Sequence, residues 1–308
     1  MPNQISPQHP EWTILKVLQW ATTYFRCNDI DSPRATAEIL LAHALAADRI
    51  DLYLHYDQPL NAKERSRFKA IIKRRINREP VAYILGHKEF WSLELVVTRN
   101  VLIPRPETEC LVERALAYLA ADAESGRLRI LELGTGSGAI LIALASENAQ
   151  HIYWGTDISA AAVQIAQRNA VSHGLATNIR FLVADWFAPF AVSTDLFDMI
   201  ISNPPYVRQE DLKRLQPEIQ AFEPLEALNG SVDGLRCLRH IIQSAHHYLK
   251  PGGMLLLEMG HDQRVPLNQI IQRCDQYEDV AFYTDYSGYD RIVAMRKKAY
   301  RYFHARSG

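Results

Sequence analysis

The sequence predicts an α/β protein with a seven-stranded, mostly parallel sheet, preceded by a small all-helical domain and a β-hairpin linker. Short apolar runs without polar alternation, such as residues 197–202, are typical of buried parallel strands. The first such run breaks into a glycine-rich turn at residues 134–138, after which an apolar helix begins. Residues 1–85 instead carry apolar side chains at helical spacing. These patterns place a sheet domain after a helical one.

The composition excludes several classes of protein. At 308 residues, the chain has room for two or three domains, and its net charge of −1 argues against a general nucleic-acid binder. The four cysteines match no metal or disulfide spacing, so we expect free thiols in a reducing compartment and no metal site. No apolar run is long enough for a membrane span, and the first residues resemble no secretory signal. We therefore expect a cytoplasmic protein with no membrane partner and no requirement for nucleic acid.

The helical domain is predicted from three stretches, at residues 12–25, 33–45 and 62–77. Asp31 or Ser32 is expected to cap the second helix and Asn61 the third. The third helix carries a strong excess of lysine and arginine. Its basic face is either a solvated surface or a docking surface for an acidic protein or RNA, and the sequence leaves both open.

Residues 86–104 are predicted to form the hairpin linker between the domains. We expect strands at residues 90–98 and 101–104, joined around Arg99 and Asn100. Pro106 then suits the first turn of a helix, with acidic residues beside it. Arg105 lies between two prolines, so the segment is either a rigid linker or a lip over a functional site.

Ligand-binding residues are predicted where the first two strands of the sheet end. The first strand leads into the loop Gly134 to Gly138, and the second ends at Asp157. Glycines let a ligand approach the backbone, and an acidic residue at the second position is placed to accept hydrogen bonds from ribose hydroxyls. The spacing from Gly134 to Ala139 also fits the dinucleotide pattern, so a nicotinamide enzyme competes at this point.

The third strand reaches Asp185 and Trp186, an acid followed by an indole. With Glu132 and the glycine loop, these residues resemble a class I S-adenosylmethionine-dependent methyltransferase, which has a Rossmann-like fold. The resemblance places adenine near Asp185 and against the ring of Trp186. The cofactor-binding positions that it implies are Gly134, Thr135, Gly136, Ser137, Gly138, Asp157, Asp185, Trp186 and Asn203.

The run Asn203-Pro-Pro-Tyr206 ends the fourth predicted strand. Because proline donates no hydrogen bond to a sheet, the strand stops there and presents Asn203 at its carboxyl end. The Asn203 amide oxygen and the Pro204 carbonyl can accept both N–H groups of a planar amine, while Tyr206 packs against it. A nicotinamide enzyme has no use for this tetrad, whereas amino-directed methyltransferases carry it. Asn203, Pro204 and Tyr206 are the catalytic candidates, and no general base is evident.

The remaining patterns complete the predicted fold. Residues 207–230 show no clear period and suit a lid or a substrate-binding loop. Helices are predicted at residues 231–249 and 262–276, and strands at residues 254–259, 280–283 and 291–295. The basic C-terminal end is interpreted as a solvated tail.

Motifs along most of the chain form a recognisable set. They are Arg78-Glu-Pro-Val-Ala-Tyr-Ile-Leu-Gly86, Phe90-Trp, Ile103-Pro-Arg-Pro-Glu-Thr-Glu109, Leu131-Glu-Leu-Gly-Thr-Gly-Ser-Gly138, Asn203-Pro-Pro-Tyr206 and Phe222-Glu-Pro-Leu-Glu-Ala-Leu228. Together they resemble the bacterial release factor glutamine methyltransferases, the PrmC/HemK family. The tetrad is shared with DNA adenine methyltransferases, so the run that begins at Ile103 is the more discriminating motif.

The resemblance implies methyl transfer from S-adenosylmethionine to N5 of the glutamine in the Gly-Gly-Gln motif of class 1 peptide chain release factors. These factors would be the protein partners. It also implies a substrate-recognition role for residues 1–85 and a catalytic domain at residues 105–308. The substrate-binding positions would be Asn203, Pro204, Pro205, Tyr206 and Arg105.

Three other functions share features with this sequence. A sister enzyme methylates a glutamine in a large-subunit ribosomal protein, but its family differs around the Ile103 run. A DNA adenine N6-methyltransferase would need a recognition domain or a basic cleft, and neither is visible at a net charge of −1. A non-catalytic, cofactor-dependent binding module is the third, and the intact tetrad argues against it.

Overall fold

The computed structural model describes residues 12–121, 126–192 and 196–299. The chain divides into two compact units. The first comprises the chain up to Gly86 together with Pro217–Phe222, and the second comprises His87–Gln216 and the chain from Glu223 onward. The residues of the predicted hairpin linker therefore group with the sheet unit, apart from Gly86.

The helices of the described residues are numbered in chain order. They are α1 (Ile14–Cys27), α2 (Pro33–Leu45), α3 (Asp51–Leu54), α4 (Ala62–Ile76), α5 (Val81–Leu85), α6 (Glu109–Ala121), α7 (Ala139–Glu147), α8 (Ala160–Ser172), α9 (Pro217–Phe222), α10 (Arg236–Ala245) and α11 (Arg264–Cys274). The strands are β1 (His87–Phe90), β2 (Leu93–Val96), β3 (Arg129–Leu133), β4 (Ile152–Asp157), β5 (Ile179–Val183), β6 (Phe197–Ser202), β7 (Leu249–Glu258), β8 (Tyr277–Thr284) and β9 (Asp290–Lys297).

The two N-cap positions predicted in the helical unit differ in how the side chain is used. Asn61 and Glu64 form a capping box at the start of α4, as predicted for Asn61. Ser32 lies at the N-cap of α2, but its side chain makes no capping hydrogen bond. Its left-handed φ of 46° differs from the extended conformation that a capping side chain requires. The predicted N-cap position at Ser32 is therefore confirmed, but without a side-chain hydrogen bond.

Part of the basic stretch in and after α4 serves the fold of the helical unit. Arg75, only 6% exposed, donates to Glu218 at 2.8 Å, and Arg78 lies 3.4 Å from the same carboxylate. Arg74 donates to both oxygens of Glu79, at 2.8 and 2.9 Å. Three arginines of the predicted basic stretch are thus held in ion pairs. The remaining basic side chains of α4 are exposed.

The sheet unit contains a seven-stranded sheet in the order β5-β4-β3-β6-β7-β9-β8. The first five strands of that order pair in parallel, while β9 pairs antiparallel with both β7 and β8. This confirms the predicted mostly parallel sheet. After β3 the chain builds outward through β4 and β5, then returns to place β6 on the other side of β3. The strand order therefore reverses between β3 and β6, where open α/β sheets bind ligands beyond the carboxyl ends of their strands.

The two faces of this sheet are both buried, which explains its unbroken apolar strands. Helices α6, α7 and α8 cover one face, together with inward side chains such as Ile130 and Met199. Helices α10 and α11 cover the other, against side chains such as Leu131 and Ile200. Neighbouring residues of β3 and β6 thus point into opposite cores. This double burial holds the carboxyl ends of β3 and β6 rigidly.

The β-hairpin is present, but its predicted turn was placed wrongly. Phe90 pairs with Leu93, so the turn consists of Trp91 and Ser92, with φ of 53° and 57°. Residues 101–104 form no strand. The turn lacks the glycine or asparagine that usually marks such a hairpin. Tertiary contacts hold it instead, since the Trp91 main-chain N–H donates to Glu109 at 2.8 Å.

The segment after the tetrad contains short helices that its sequence pattern did not predict. Single 3₁₀ turns at Asp211–Arg214 and Leu225–Ala227 flank α9. Val207 forms a parallel bridge with Asn229, so the two ends of the segment meet. Elements this short are too brief for a periodic pattern to reveal.

Within the described part of the chain, no helix is both long and apolar enough to cross a membrane. The four cysteines are free thiols, as predicted, and Cys110 and Cys237 are buried. Among the same described residues, no cluster of three or more histidine, cysteine or acidic side chains is arranged to hold a metal ion.

Candidate active site

The candidate site lies at the carboxyl ends of β3 and β6, where the strand order reverses. The glycine loop follows β3, and the tetrad that begins at Asn203 follows β6. Leu133 and Ser202, the last residues of the two strands, are paired in the sheet. The Ser202 hydroxyl also donates to the Leu133 carbonyl at 2.7 Å. The glycine loop and the tetrad, which the sequence predicted to act together, therefore begin directly after a pair of adjacent, hydrogen-bonded residues.

The glycine loop keeps three residues in the left-handed region, with φ of 71° at Gly134, 54° at Gly136 and 82° at Gly138. A Cβ at Gly134 or Gly136 would meet no atom within 4 Å, so the loop borders open space. A Cβ at Gly138 would lie 3.0 Å from Ile142 and 3.1 Å from the side chain of Ala166. The first two glycines leave room for a ligand, and the third allows close helix packing.

Two side chains brace this loop. Asp157 ends β4, and its carboxylate accepts from the Gly136 N–H and the Ser159 N–H, both at 2.9 Å. Asn169 of α8 is completely buried and donates to the Ser137 carbonyl at 2.9 Å. A carboxylate offers about four acceptor positions, so Asp157 keeps acceptor capacity for the hydroxyls of a ligand.

Glu132 lies beneath the loop in the buried part of β3. It is 1% exposed, and one carboxyl oxygen accepts from the Thr135 hydroxyl at 2.7 Å. Burial raises the pKa of Glu132 to about 8, against a usual value near 4.5. The carboxyl group is therefore mostly protonated at neutral pH and serves the fold as a neutral hydrogen-bonding group.

This shift predicts a specific dependence of stability on pH. Below pH 4.5 Glu132 is protonated in both the folded and the unfolded chain. Between pH 4.5 and about 8 the unfolded chain loses the proton while the folded chain keeps it, so the free energy of unfolding falls as pH rises. Above about pH 8 this contribution is constant.

Glu132→Gln removes this titration and keeps an acceptor for Thr135, so it isolates the effect. Denaturant unfolding of both proteins across this pH range should show wild type losing stability relative to the variant. Parallel stability profiles would contradict the raised pKa. Other titrating groups are common to both proteins and cancel in the comparison.

The tetrad is joined to a buried carboxylate at the end of β7. The Asn203 Nδ2 donates to the Thr108 hydroxyl at 3.1 Å, and that hydroxyl donates to Glu258 at 2.7 Å. The Tyr206 hydroxyl donates to the other oxygen of Glu258 at 3.2 Å. Glu258 is 1% exposed, and burial raises its pKa to about 7. Burial also raises the pKa of Tyr206 well above its usual range, so its hydroxyl stays protonated and able to donate.

The main chain beyond the tetrad is fixed by Gln263. This side chain is 2% exposed, and its Nε2 donates to the carbonyls of Tyr206 at 3.0 Å and Gly234 at 3.2 Å. Its Oε1 accepts from the Gly260 N–H at 2.9 Å. Pro204 is buried, while Pro205 and Tyr206 are half-buried. The tetrad is therefore held from both its side chains and its backbone.

Three further predicted site residues are Arg105, Asp185 and Trp186. Arg105 precedes the 3₁₀ turn Pro106–Thr108 and donates to the buried carboxylate of Glu223 at 2.6 Å. Asp185 is exposed in the loop after β5, and Trp186 beside it is half-buried. The Trp186 ring lies 6.1 Å from that of His240 on α10. Pro106 begins the turn as the sequence predicted.

Sequence reasoning did not assign Thr108, Glu258, Glu223, Gln263 and Asn169 to the site. Three of them carried a visible signal. Glu258 is a charged residue at the end of a mostly apolar strand, and buried charges of that kind are rare unless they have partners. Thr108 and Glu223 lie within the motifs that begin at Ile103 and Phe222, although the sequence assigned neither residue a role.

Comparisons with known proteins bear on both units. Residues 16–86 match the model of the PrmC N-terminal domain, and residues 124–306 match a methyltransferase domain. A release factor glutamine methyltransferase of Geobacter sulfurreducens is 40% identical over 293 residues, covering 94% of this chain and 99% of that protein. One from Xylella fastidiosa is 43% identical over 263 residues, covering 85% of this chain and 93% of that protein.

The chain belongs to the release factor glutamine methyltransferase family. A further member, from Salmonella typhimurium, is 41% identical and covers 87% of this chain and 94% of its own length. Among solved structures, the hMettl16 catalytic domain, solved in complex with the MAT2A 3′UTR hairpin 6, has a TM-score of 0.53 at 16% identity. That match covers 73% of this chain and 82% of the other, and it shows the shared fold. The predicted class I methyltransferase fold is confirmed.

The family and its methyltransferase domain establish S-adenosylmethionine as the cofactor, as the sequence predicted. The geometry at the switch point fits this group. The glycine loop borders open space, Asp157 lies beside it with acceptor capacity, and the half-buried ring of Trp186 lies after β5. The chain is thus a methyltransferase of the family, with a site suited to a nucleoside-containing methyl donor.

Proposed function

We propose that this protein methylates N5 of the glutamine side-chain amide in the Gly-Gly-Gln motif of class 1 peptide chain release factors, giving N5-methylglutamine. One observation carries the proposal. Relatives named for release factor glutamine methylation match this chain over nearly their whole length, including the helical unit. We place the reaction in the cytoplasm, with the release factor as the partner.

The tetrad supports a planar amide as the methyl acceptor. The nitrogen of a primary amide carries two N–H groups, and its lone pair is delocalised into the carbonyl. Asn203 Oδ1 and the Pro204 carbonyl would accept the two N–H bonds, and Tyr206 would pack against the flat group. Since the nitrogen becomes more acidic as it is alkylated, these acceptors stabilise the developing charge. Asn203, Pro204 and Tyr206 are therefore the proposed catalytic residues, and Pro205 lines the same pocket.

The proposed cofactor residues are the loop Gly134 to Gly138 with Asp157, Asp185, Trp186 and Asn203. Bound S-adenosylmethionine would supply an electrophilic methyl group to the amide nitrogen, and S-adenosylhomocysteine and a proton would be the other products. Asp157 would accept from ribose hydroxyls, and the ring of Trp186 would pack on the adenine. The chain's contribution is to position the reactants and to exclude water.

Substrate recognition is assigned in this proposal to the helical domain, residues 1–85, and to Arg105. Residues 86–104 would act as the linker and residues 105–308 as the catalytic domain. A guanidinium has five donors, and Arg105 uses Nη2 for Glu223. Its other donors would meet backbone carbonyls of the incoming loop.

The proposal is tested by a substrate comparison with labelled S-adenosylmethionine. Separate reactions would contain a purified class 1 release factor, a large-subunit ribosomal protein known to carry methylglutamine, or unmethylated DNA. We expect label in the release factor reaction alone. Label confined to the ribosomal protein or to DNA would contradict the proposed function.

A further inference from the structure

Hydrogen bonds of defined direction link Asn203 to Glu258 through Thr108. Glu258 ends β7, and its two carboxyl oxygens face the hydroxyls of Thr108 at 2.7 Å and Tyr206 at 3.2 Å. Both hydroxyls donate to this carboxyl group, so the hydroxyl hydrogens of Thr108 and Tyr206 point toward Glu258. Thr108 is 5% exposed and Glu258 1% exposed, so neither is free to exchange this partner for bulk water.

The direction of the Thr108 hydroxyl decides the orientation of the Asn203 amide. With its hydrogen on Glu258, the Thr108 oxygen presents only lone pairs to Asn203. The NH₂ end of the amide therefore faces Thr108, at 3.1 Å, and the opposite orientation would bring two oxygens together without a hydrogen between them. Oδ1 is left as the outward group, and it has no hydrogen-bond partner among residues 12–121, 126–192 and 196–299.

We infer that Thr108 and Glu258 are positioning residues, which fix the Asn203 amide so that its oxygen, and not its NH₂ group, faces the methyl acceptor. The inference rests on the proposed function, because it is an amide N–H of the substrate that requires an acceptor at this point. It also gives a role to the run that begins at Ile103, since Thr108 belongs to that run. Glu258 supports Thr108 from a strand that is paired on both sides.

Charged side chains on both sides of Glu258 act on its carboxyl group. Arg291 on β9 carries a positive charge that counters the rise in the pKa of Glu258 caused by burial, and it is itself paired with Asp285 at 3.1 Å. Glu107, in the same 3₁₀ turn as Thr108, acts in the opposite sense. Tyr206 donates to the second oxygen, so a single carboxylate orients both polar side chains of the tetrad.

The experiment compares two substitutions at one position. Thr108→Val keeps the shape of the side chain but removes the hydroxyl, so it breaks the link between Asn203 and Glu258. Thr108→Ser keeps the hydroxyl and loses a methyl group. We expect Thr108→Val to lower kcat for release factor methylation by about 10- to 100-fold, with little change in KM, because a misoriented catalytic group acts on the reaction and not on docking. Thr108→Ser should retain most of the wild-type kcat.

A matched control separates positioning from loss of a buried hydroxyl. Tyr277 on the edge strand β8 is 6% exposed, and its hydroxyl donates to the Ile242 carbonyl at 2.7 Å. Tyr277→Phe removes this buried hydroxyl and should lower the melting temperature about as much as Thr108→Val while leaving kcat near the wild-type value. Cofactor affinity, measured by calorimetry, should be unchanged in all of these variants.

A double-variant cycle adds a second readout. Glu258→Gln leaves one acceptor oxygen for two hydroxyls, so it should also lower kcat. Its effect should shrink in the Thr108→Val background, because the link to Asn203 is already broken there. A Thr108→Val protein with wild-type kcat, equal losses in the valine and serine variants, or multiplicative losses in the double variant would each overturn the inference. Absence of release factor methylation by the wild type would instead contradict the proposed function.

Discussion

Replacement of Asn203 by alanine is expected to lower kcat for methyl transfer by about 10²- to 10³-fold, the usual consequence of removing one preorganised polar group from a reacting centre. The amide oxygen is the acceptor that holds the nucleophilic nitrogen in this account. Its loss removes both the alignment of the lone pair and the stabilisation of the charge that develops on attack. Cofactor affinity should weaken only modestly, since most of the cofactor residues lie after β3, β4 and β5. Steady-state kinetics and calorimetry on the same preparation would measure the two effects separately.

Asn178→Ala is the matched control for this substitution. Asn178 lies between α8 and β5, and its side chain donates to the Ala149 carbonyl at 2.7 Å, away from the tetrad. The same chemical change at Asn178 should leave kcat within the error of the wild-type value. Full activity in Asn203→Ala would remove Asn203 from its proposed role.

Substitution of Gly134 by asparagine is expected to weaken cofactor binding by about 10- to 100-fold. Asparagine tolerates a left-handed backbone better than most residues, so the change at φ of 71° adds bulk with little backbone strain. The space into which the new side chain points is the open region beside the loop. Forcing a side chain into the volume of a bound group costs about 1–3 kcal/mol, which corresponds to this loss of affinity.

Gly174 provides a closely matched control for this prediction. It also has φ of 71°, and a Cβ there would likewise meet nothing within 4 Å. Gly174 lies in the turn after α8, remote from the glycine loop in sequence and in role. Gly174→Asn should therefore bind the cofactor as wild type does. Equal affinities in the two variants would show that the glycine loop does not line the cofactor pocket.

The fold could be predicted from the sequence wherever burial imposes a strong pattern. The strands β3 and β6 are covered on both faces, so they read as unbroken apolar runs, and Pro204 marks where β6 ends. The position of Asn203 at a carboxyl end followed from these two signals. The Asn61 cap was predictable for a similar reason, because Glu64 completes a local motif three residues later.

Features that depend on distant residues could not be predicted in this way. The hairpin turn at Trp91 and Ser92 is held by contacts with α6 and α7, so no local turn signal marks it. In the link from Asn203 to Glu258, Thr108 bonds to both residues. Asn203 is 95 positions away from Thr108 in the chain, and Glu258 is 150 positions away. Such pairs are brought together only when the sheet has formed. The site was therefore visible in the sequence as separate motifs, while its supporting hydrogen bonds were not.

The most direct test of the central claim is to locate the transferred methyl group on the substrate. A class 1 release factor would be incubated with the protein and S-adenosylmethionine, digested, and examined by tandem mass spectrometry beside a factor whose Gly-Gly-Gln glutamine is replaced by alanine. We predict one methyl group on the side-chain amide of that glutamine, and none on the replaced factor. Methylation at any other residue, or equal methylation of both factors, would contradict the assignment of Asn203-Pro-Pro-Tyr206 as a glutamine amide site.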